Sequence, residues 1–271
     1  IIQNMKKKLS ILNLMSVILV IAVNYISQIM EFNGTTIGEI SSRYVNLFTP
    51  ASYAFAIWGI IFLALLAYGI FQIRRAFFSK KESIFIEQTG YWFVLANILN
   101  CCWVFAFVYD YTGLSVLIMF GILISLIKII LNTDMERWDA PLTTIAFVWW
   151  PICIYSGWIA VATVANISAY LAKLGWKGGF LTETSWSIVM IIIAAILNLM
   201  MIWKRNMREF AAVGVWALIA IYVRHSGTID SIANTAIISS TFLTLAILAH
   251  AFKNRTTNPF KKMQERINQK S

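Results

Sequence analysis

Three groups of aromatic and amide side chains carry the chemistry that this sequence could perform. Aromatic faces stack against flat apolar molecules, indole N–H groups donate hydrogen bonds, and a few amides can orient a ligand in an apolar cavity. These residue types predict the binding of a hydrophobic, planar small molecule, and packing of the same side chains against one another is the alternative. The groups are Tyr53, Phe55, Trp58 and Phe62; Asn100, Trp103 and Phe107; and Trp149, Tyr155, Trp158 and Asn166.

The sequence lacks the residue patterns that catalysis and metal binding require. No acid–base pair or activated nucleophile is recognisable, so we expect no enzyme. Cys101, Cys102 and Cys153 lie in apolar segments without a neighbouring histidine or acidic residue, so we expect them to pack as small apolar residues and to bind no metal. His225 and His250 fall near the ends of apolar segments, where we expect solvated side chains.

Further asparagines lie in the apolar segments, at Asn24, Asn97 and Asn198. Amides in hydrocarbon must find partners, and bonds between helices contribute about 1 kcal/mol or less each. We interpret these residues mainly as links between helices. The functional alternative is that some of them, with Asn100 and Asn166, orient a ligand.

The elements that must position these residues are membrane-spanning helices. The chain is 59% hydrophobic and only 13% charged, whereas a soluble domain carries about 25% charged residues. A bilayer core of about 30 Å needs roughly 20 apolar residues per helix. Seven stretches meet this requirement: Leu9–Met30, Ala51–Ile73, Gly90–Tyr109, Thr112–Leu131, Leu142–Leu171, Ser185–Trp203 and Ile229–Phe252.

An eighth stretch, Phe210–Val223, is short, and the distribution of charge decides whether it spans. With eight spans, 18 of the 22 lysines and arginines lie on the side of the N-terminus, as the positive-inside rule requires of cytoplasmic loops. The sequence therefore predicts an all-α polytopic bundle of about eight helices with both termini cytoplasmic. The four basic residues on the other side are Arg43, Lys173, Lys177 and Arg224.

The net charge of +10 is explained by basic helix ends that face anionic lipid headgroups, so membrane lipids are expected partners and nucleic acid is not. No cleavage site follows the first span, which is expected to stay in the membrane. Met5 before three lysines is typical of a chain start, and Ile1–Asn4 are interpreted as preceding it. Residues 253–271 are expected to form a basic cytoplasmic tail.

At the three aromatic groups the sequence resembles the TspO/MBR family, the tryptophan-rich sensory proteins also called translocator proteins or peripheral benzodiazepine receptors. The resemblance covers about Leu9 to Lys173. It implies a five-helix bundle whose cavity binds porphyrin, haem or a sterol-like lipid. The matching residues, in family order, are Pro50, Tyr53, Phe55, Trp58 and Phe62 on the second helix; Asn100, Trp103 and Phe107 on the third; and Tyr155, Trp158 and Asn166 on the fifth.

The chain departs from the family pattern at three prolines and in its length. Thr49 stands in place of the first proline of the family's pair, Phe105 replaces a third-helix proline, and Pro151 lies three residues before the expected position. A shifted proline moves the point at which a helix kinks, which predicts a reshaped pocket. The family has five spans, so the domains are expected to be 1–173, three additional helices over 174–252, and the tail, as in an extended bacterial branch located in the inner membrane.

The resemblance also implies a sterol-recognition pattern at the end of the fifth helix, formed by Val164, Tyr170 and Lys173. The leading interpretation is an integral membrane protein that senses or handles a hydrophobic ligand. A transporter of a hydrophobic small molecule is one alternative. The other is a structural subunit, in a homodimer or a larger membrane complex, that docks through its last three helices.

Overall fold

The computed structural model describes residues 2–255, which are helical or in short connections with no strand. The basic tail beyond residue 255 lies outside the described residues. Two 3₁₀ turns, Phe32–Gly34 and Ser52–Ala56, flank the second helix and precede the third. The α-helices are α1 (Ile2–Ile29), α2 (Ile37–Arg43), α3 (Ile57–Phe77), α4 (Phe85–Thr89), α5 (Trp92–Val108), α6 (Thr112–Asn132), α7 (Leu142–Thr144), α8 (Trp150–Lys173), α9 (Glu183–Arg205), α10 (Arg208–His225) and α11 (Asp230–Lys253).

Six of the helical segments in this range are long and apolar enough to cross a membrane. They are Gln3–Ile29, Ser52–Phe77, Thr112–Asn132, Leu142–Lys173, Glu183–Arg205 and Asp230–Lys253. The other two predicted spans are also helices, but α5 has only 17 residues, and the 18-residue α10 carries charged residues in its first and last turns. The prediction of an all-α, polytopic membrane bundle is confirmed.

Contacts among helix ends and the connections between helices define two ends of the bundle. At one end, Lys6 of α1 pairs with Glu87 of α4 at 3.4 Å, and the Asn206 amide donates to the Glu136 carbonyl at 2.8 Å. At the opposite end, Arg224 of α10 donates to a carbonyl before α3. We call the first the basic end, after its Lys6, Lys7, Lys8, Arg74, Arg75, Lys80, Lys81, Lys128, Arg137, Lys204, Arg205, Arg208, Lys253 and Arg255.

The last three helices, α9 to α11, contact the preceding helices through α10. Gly157 of α8 faces α10 so closely that an added Cβ atom would lie 2.9 Å from the Phe210 carbonyl oxygen and 3.1 Å from the Val213 Cβ. Buried Met207, Val213 and Ala220 belong to the same apolar core as the first eight helices. Helix α10 therefore joins the two parts that the sequence analysis separated at residue 173.

Two local features of the backbone did not follow from the sequence. Ile145–Trp149 form a π-helical turn immediately before Pro151. A proline cannot donate to the preceding turn and its ring crowds the carbonyl four residues back, so a widened turn relieves the clash. Helix α2 was not predicted, although Thr36 and Glu39 form a capping box at its start.

Candidate functional site

An aromatic-lined cavity lies in the half of the bundle opposite the basic end. Helices α2, α3, α5 and α8 form its walls, with Met119 contributed by α6. Its volume is about 40 Å³, whereas pockets for drug-sized ligands usually measure about 300–1,000 Å³. The cavity is therefore nearly closed. Seven residues singled out in the sequence line it: Phe55, Trp58, Asn100, Trp103, Phe107, Trp158 and Asn166.

The aromatic rings of the cavity contact one another in edge and stacked arrangements. The Trp158 ring meets Phe55 and Trp58 edge to face, with ring centroids 5.9 and 6.4 Å apart. On the α5 wall, Trp103 and Phe107 stack with their centroids 5.0 Å apart. Both geometries follow from the charge distribution of aromatic rings. Both clusters contribute apolar ring surfaces to the cavity lining.

The amides of the cavity are bonded to protein groups. Asn100 accepts a hydrogen bond from Asn24 at 3.0 Å and donates to the Tyr155 hydroxyl at 3.1 Å. Asn166 accepts from the indole of Trp103 at 2.8 Å and donates to a serine on α6. These bonds link α1, α5, α6 and α8, which agrees with the interpretation of the asparagines as links between helices.

One buried donor in the cavity wall has no partner. The Trp158 side chain is 1% exposed, and its Nε1–H forms no hydrogen bond within the described part of the chain. In a buried site an unpaired N–H costs about 1–3 kcal/mol. By contrast, the buried Trp103 indole has its acceptor in Asn166. An acceptor on a bound ligand would satisfy the Trp158 donor.

Four of the predicted residues lie outside the cavity lining. Tyr53 packs on Trp216 of α10, with centroids 5.4 Å apart, and Phe62 stacks behind Trp58. Tyr155 is fully buried and supports the cavity through Asn100. Trp149 lies about 14 Å along the helix from Trp158 and packs on Trp138 at the basic end.

Sequence reasoning missed the small residues that leave room for the cavity. Ala162, Ala165 and Ala169 line it from α8, at helical spacing from Trp158, so the signal was present in the sequence. Ile37 and Ser41 line it from α2, and they were missed because α2 itself was not predicted.

Asp110 fastens α2 over the cavity. The Tyr44 hydroxyl, just after α2, donates to its two carboxylate oxygens at 2.8 and 2.6 Å. Lys173 at the end of α8 pairs with the same carboxylate at 3.1 Å, and Arg43 lies 3.8 Å from it. We call Arg43, Tyr44, Asp110 and Lys173 the Asp110 latch.

The contacts within the Asp110 latch shift the pKa values of Asp110 and Tyr44. Burial alone would raise the pKa of Asp110, but hydrogen bonds from Tyr44 and Lys173 and the positive charges of Lys173 and Arg43 outweigh it and lower that pKa. Burial and the hydrogen bond to Asp110 raise the pKa of Tyr44. The carboxylate therefore stays charged and the phenol stays protonated across the neutral range.

The three residues of the sterol pattern do not form one surface. Val164 packs against the core of the last three helices. The Tyr170 ring lies against α6, where an added Cβ on Gly113 would be 3.1 Å from it. Lys173 is engaged by Asp110. Recognition of a sterol by this pattern stays a prediction.

The two histidines are more buried than the sequence suggested. His225 and His250 were expected to be solvated, but both are buried. Nε2 of His225 lies 2.9 Å from the Leu47 carbonyl, and Nε2 of His250 lies 3.1 Å from the Asn206 side chain. Helix packing encloses both rings because each helix end is covered by a neighbouring loop.

Comparison with known proteins gave one match. A family model described as TSPO-like protein matches residues 10–249, which include α9, α10 and most of α11. Neither the curated proteins nor the solved structures gave a match.

Proposed function

This chain belongs to the TSPO-like family, and from that premise we propose that it binds a flat hydrophobic ligand with a hydrogen-bond acceptor in the cavity under α2. Porphyrin, haem and sterol-like lipids are the ligand classes that the resemblance implies. The unpaired N–H of Trp158 is the observation that carries the proposal. The protein would sense or handle such a ligand within a membrane.

The cavity walls suit a planar apolar molecule. Its surfaces are formed by the Trp158 and Trp103 ring clusters and by the alanines of α8. Apolar burial contributes about 25 cal/mol per Å², so a ring system held against these surfaces would gain most of its affinity from area. The Trp158 N–H would then fix the orientation of the ligand.

Binding requires the cavity to open from its volume of about 40 Å³. Helix α2 is the shortest wall of the cavity, with only seven residues, and it is held by the Asp110 latch and by burial of Ile40 in the core. We therefore assign ligand entry to displacement of α2. Closure of α2 over the ligand would restore the latch.

Titration of the detergent-solubilised protein with protoporphyrin IX, followed by tryptophan fluorescence, tests the proposal. Wild type is expected to show saturable quenching. Ala165→Leu fills the cavity and is expected to weaken binding at least tenfold, whereas Leu245→Phe on the exposed face of α11 is not. Equal quenching of both variants, or no saturation for protoporphyrin, haem and a steroid alike, would exclude this cavity as the binding site.

A further inference from the structure

Three side chains with metal-ligating atoms converge at the basic end, remote from the aromatic cavity. Glu136 comes from the loop between α6 and α7, Cys153 from α8 and Glu209 from the first turn of α10. The thiol sulfur and one oxygen of each carboxylate all lie within 4.8 Å of one another. The sequence gave no sign of this cluster, because 17 and 56 residues separate the cysteine from the two glutamates.

The cluster has charge and donor atoms that protein groups leave unsatisfied. Glu136 Oε1 and Glu209 Oε2 are buried and have no hydrogen-bond partner of good geometry in residues 2–255, although the Trp150 indole N–H lies near enough to Glu209 to favour its ionised form. Over the same range, neither carboxylate forms an ion pair. Cys153 is fully buried, and the hydrogen-bond partner of its thiol in the described residues is the Met135 sulfur, at 3.8 Å, which is a weak interaction. An ionised carboxylate buried without a partner is costly, so these groups either hold a proton or meet a cation.

The nearest arginines do not neutralise the carboxylates. Arg205 lies toward Asp134, 3.8 Å away, and donates to the carbonyls of Ile130 and Met135. Arg208 forms no ion pair with either glutamate within residues 2–255, although its positive charge favours the ionised form of both. The two carboxylates and the thiol therefore lie beside one another with only partial compensation from Arg208.

We propose that Glu136, Cys153 and Glu209 bind one zinc-class divalent cation, with water as the fourth ligand. Zinc takes thiolate and carboxylate ligands together, whereas Mg²⁺ and Ca²⁺ take oxygen. Ligand atoms around tetrahedral zinc lie roughly 3.5 Å apart, so the three side chains need to close by about 1 Å. Binding releases to solvent the thiol proton and the proton that the glutamates hold, and no oxidation is involved.

A cavity of about 190 Å³ at the basic end reaches one of the three side chains. Glu136 lines it together with Asn206, Arg208 and His250, whereas Cys153 and Glu209 lie behind this lining. A hydrated cation entering here would therefore meet Glu136 first. Once bound, the cation would tie α10 to α8 and to the loop after α6. It would thus hold the last three helices against the helices that precede them.

The test uses the full chain in detergent, freed of any histidine tag and stripped with chelator. After incubation with zinc and desalting, metal analysis is expected to find one zinc per chain. Cobalt in place of zinc is expected to give a thiolate-to-cobalt charge-transfer band, which reports Cys153 directly. Cys153→Ala and Glu209→Gln are expected to weaken binding at least about tenfold, a size typical of perturbed metal sites.

Matched controls are Cys102→Ala, which removes an exposed thiol, and Glu183→Gln, which removes an exposed carboxylate. Both are expected to retain zinc and the cobalt band. Glu136→Gln changes only the loop and keeps the test open if the helix variants fail to fold. A monodisperse wild type that retains no zinc, or retention equal in Cys153→Ala and Cys102→Ala, overturns the proposal and leaves a proton shared between the glutamates.

Discussion

Tryptophans in this protein differ in how their N–H groups are satisfied, and in the cavity this difference marks Trp158. The Trp150 N–H is also without a hydrogen-bond partner in the described range, but Trp150 does not line the cavity. Trp103 donates to Asn166 at 2.8 Å, and Trp216 donates to the Ala54 carbonyl at 3.1 Å. Trp158 is the cavity residue whose donor has no such acceptor in the described range. The sequence identified Trp158 as a candidate, but its hydrogen-bond partners depend on helix packing that no local pattern encodes.

Replacing Trp158 by phenylalanine removes the donor while keeping an aromatic ring. Protoporphyrin affinity is expected to fall about five- to tenfold, since a net hydrogen bond is worth about 1 kcal/mol. Thermal stability is expected to fall less than in Trp103→Phe, because both variants lose buried ring volume but the deleted Trp158 N–H was unpaired. Fluorescence titration and a melting curve measure the two effects. Trp103→Phe, which breaks the bond to Asn166, is expected to melt earlier, and a Trp158→Phe variant of unchanged affinity would contradict the role of the donor.

Asp110→Asn is expected to loosen α2 by removing the charge that Lys173 and Arg43 contact. Alkylation of a cysteine placed at Ser41, in a Cys102→Ser background, measures the opening of α2. The rate is expected to rise severalfold in the variant, whereas Asp230→Asn at the exposed start of α11 leaves it unchanged. An equal rate in Asp110→Asn and its control would show that the latch does not hold α2.

The latch has a defined pH window. The pKa of Asp110 is lowered. The stabilisation that ionised Asp110 gives the latch is therefore complete above the ordinary pKa of about 3.9, and it is lost as the pH falls through the lower pKa of the folded protein. The pKa of Tyr44 is raised, so its contribution is complete below about 10 and is lost above. Alkylation, corrected for the thiolate fraction, is expected to be flat between pH 6 and 9, and a marked slope there would contradict this assignment.

At the scale of elements, the helices followed from composition because long apolar runs have few alternatives in a membrane. The short α2 could not be predicted in this way, because seven residues are too few to show a helical repeat of apolar side chains. Trp149 was grouped with the cavity because it shares an apolar run with Trp158. Nine helical residues nevertheless separate them by about 14 Å, and only the position of the neighbouring helices decides which of them lines the cavity.

Gly157 sets the distance between α8 and α10. Gly157→Ala would place a methyl group 2.9 Å from a backbone oxygen of Phe210, which cannot rotate away. We expect a loss of about 1–3 kcal/mol from overpacking, seen as a lower melting temperature. Gly59→Ala is the matched control, since nothing lies within 4 Å of its added Cβ and it should gain roughly 0.5–1 kcal/mol in a helix interior. Equal melting of the two variants would show that α8 and α10 do not pack closely.

At the scale of the whole molecule, the family match over residues 10–249 extends through the last three helices. They share a core of their own and contact the preceding helices where α10 packs on α8. The sequence analysis had treated them as an addition because the aromatic groups end near Asn166. The last three helices support the bundle at the contact of α10 with Gly157. Glu209, in the first turn of α10, makes a second contact with the preceding helices at the basic end. No local pattern in the sequence predicts such a contact between distant segments.

The distribution of basic residues between the two ends of the bundle predicts its orientation in a membrane. Most lysines and arginines lie at the basic end, and membrane insertion keeps such ends on the cytoplasmic side.

We therefore expect Lys80→Cys, in the loop between α3 and α4, to resist a membrane-impermeant maleimide in intact cells. Lys177→Cys, between α8 and α9, should react fully, and both should react after the membrane is permeabilised. Both replaced lysines are exposed, so access to the reagent differs only by side. Labelling of Lys80→Cys in intact cells with protection of Lys177→Cys would reverse the orientation, and labelling of both would mean that the helices between them do not separate the two sides.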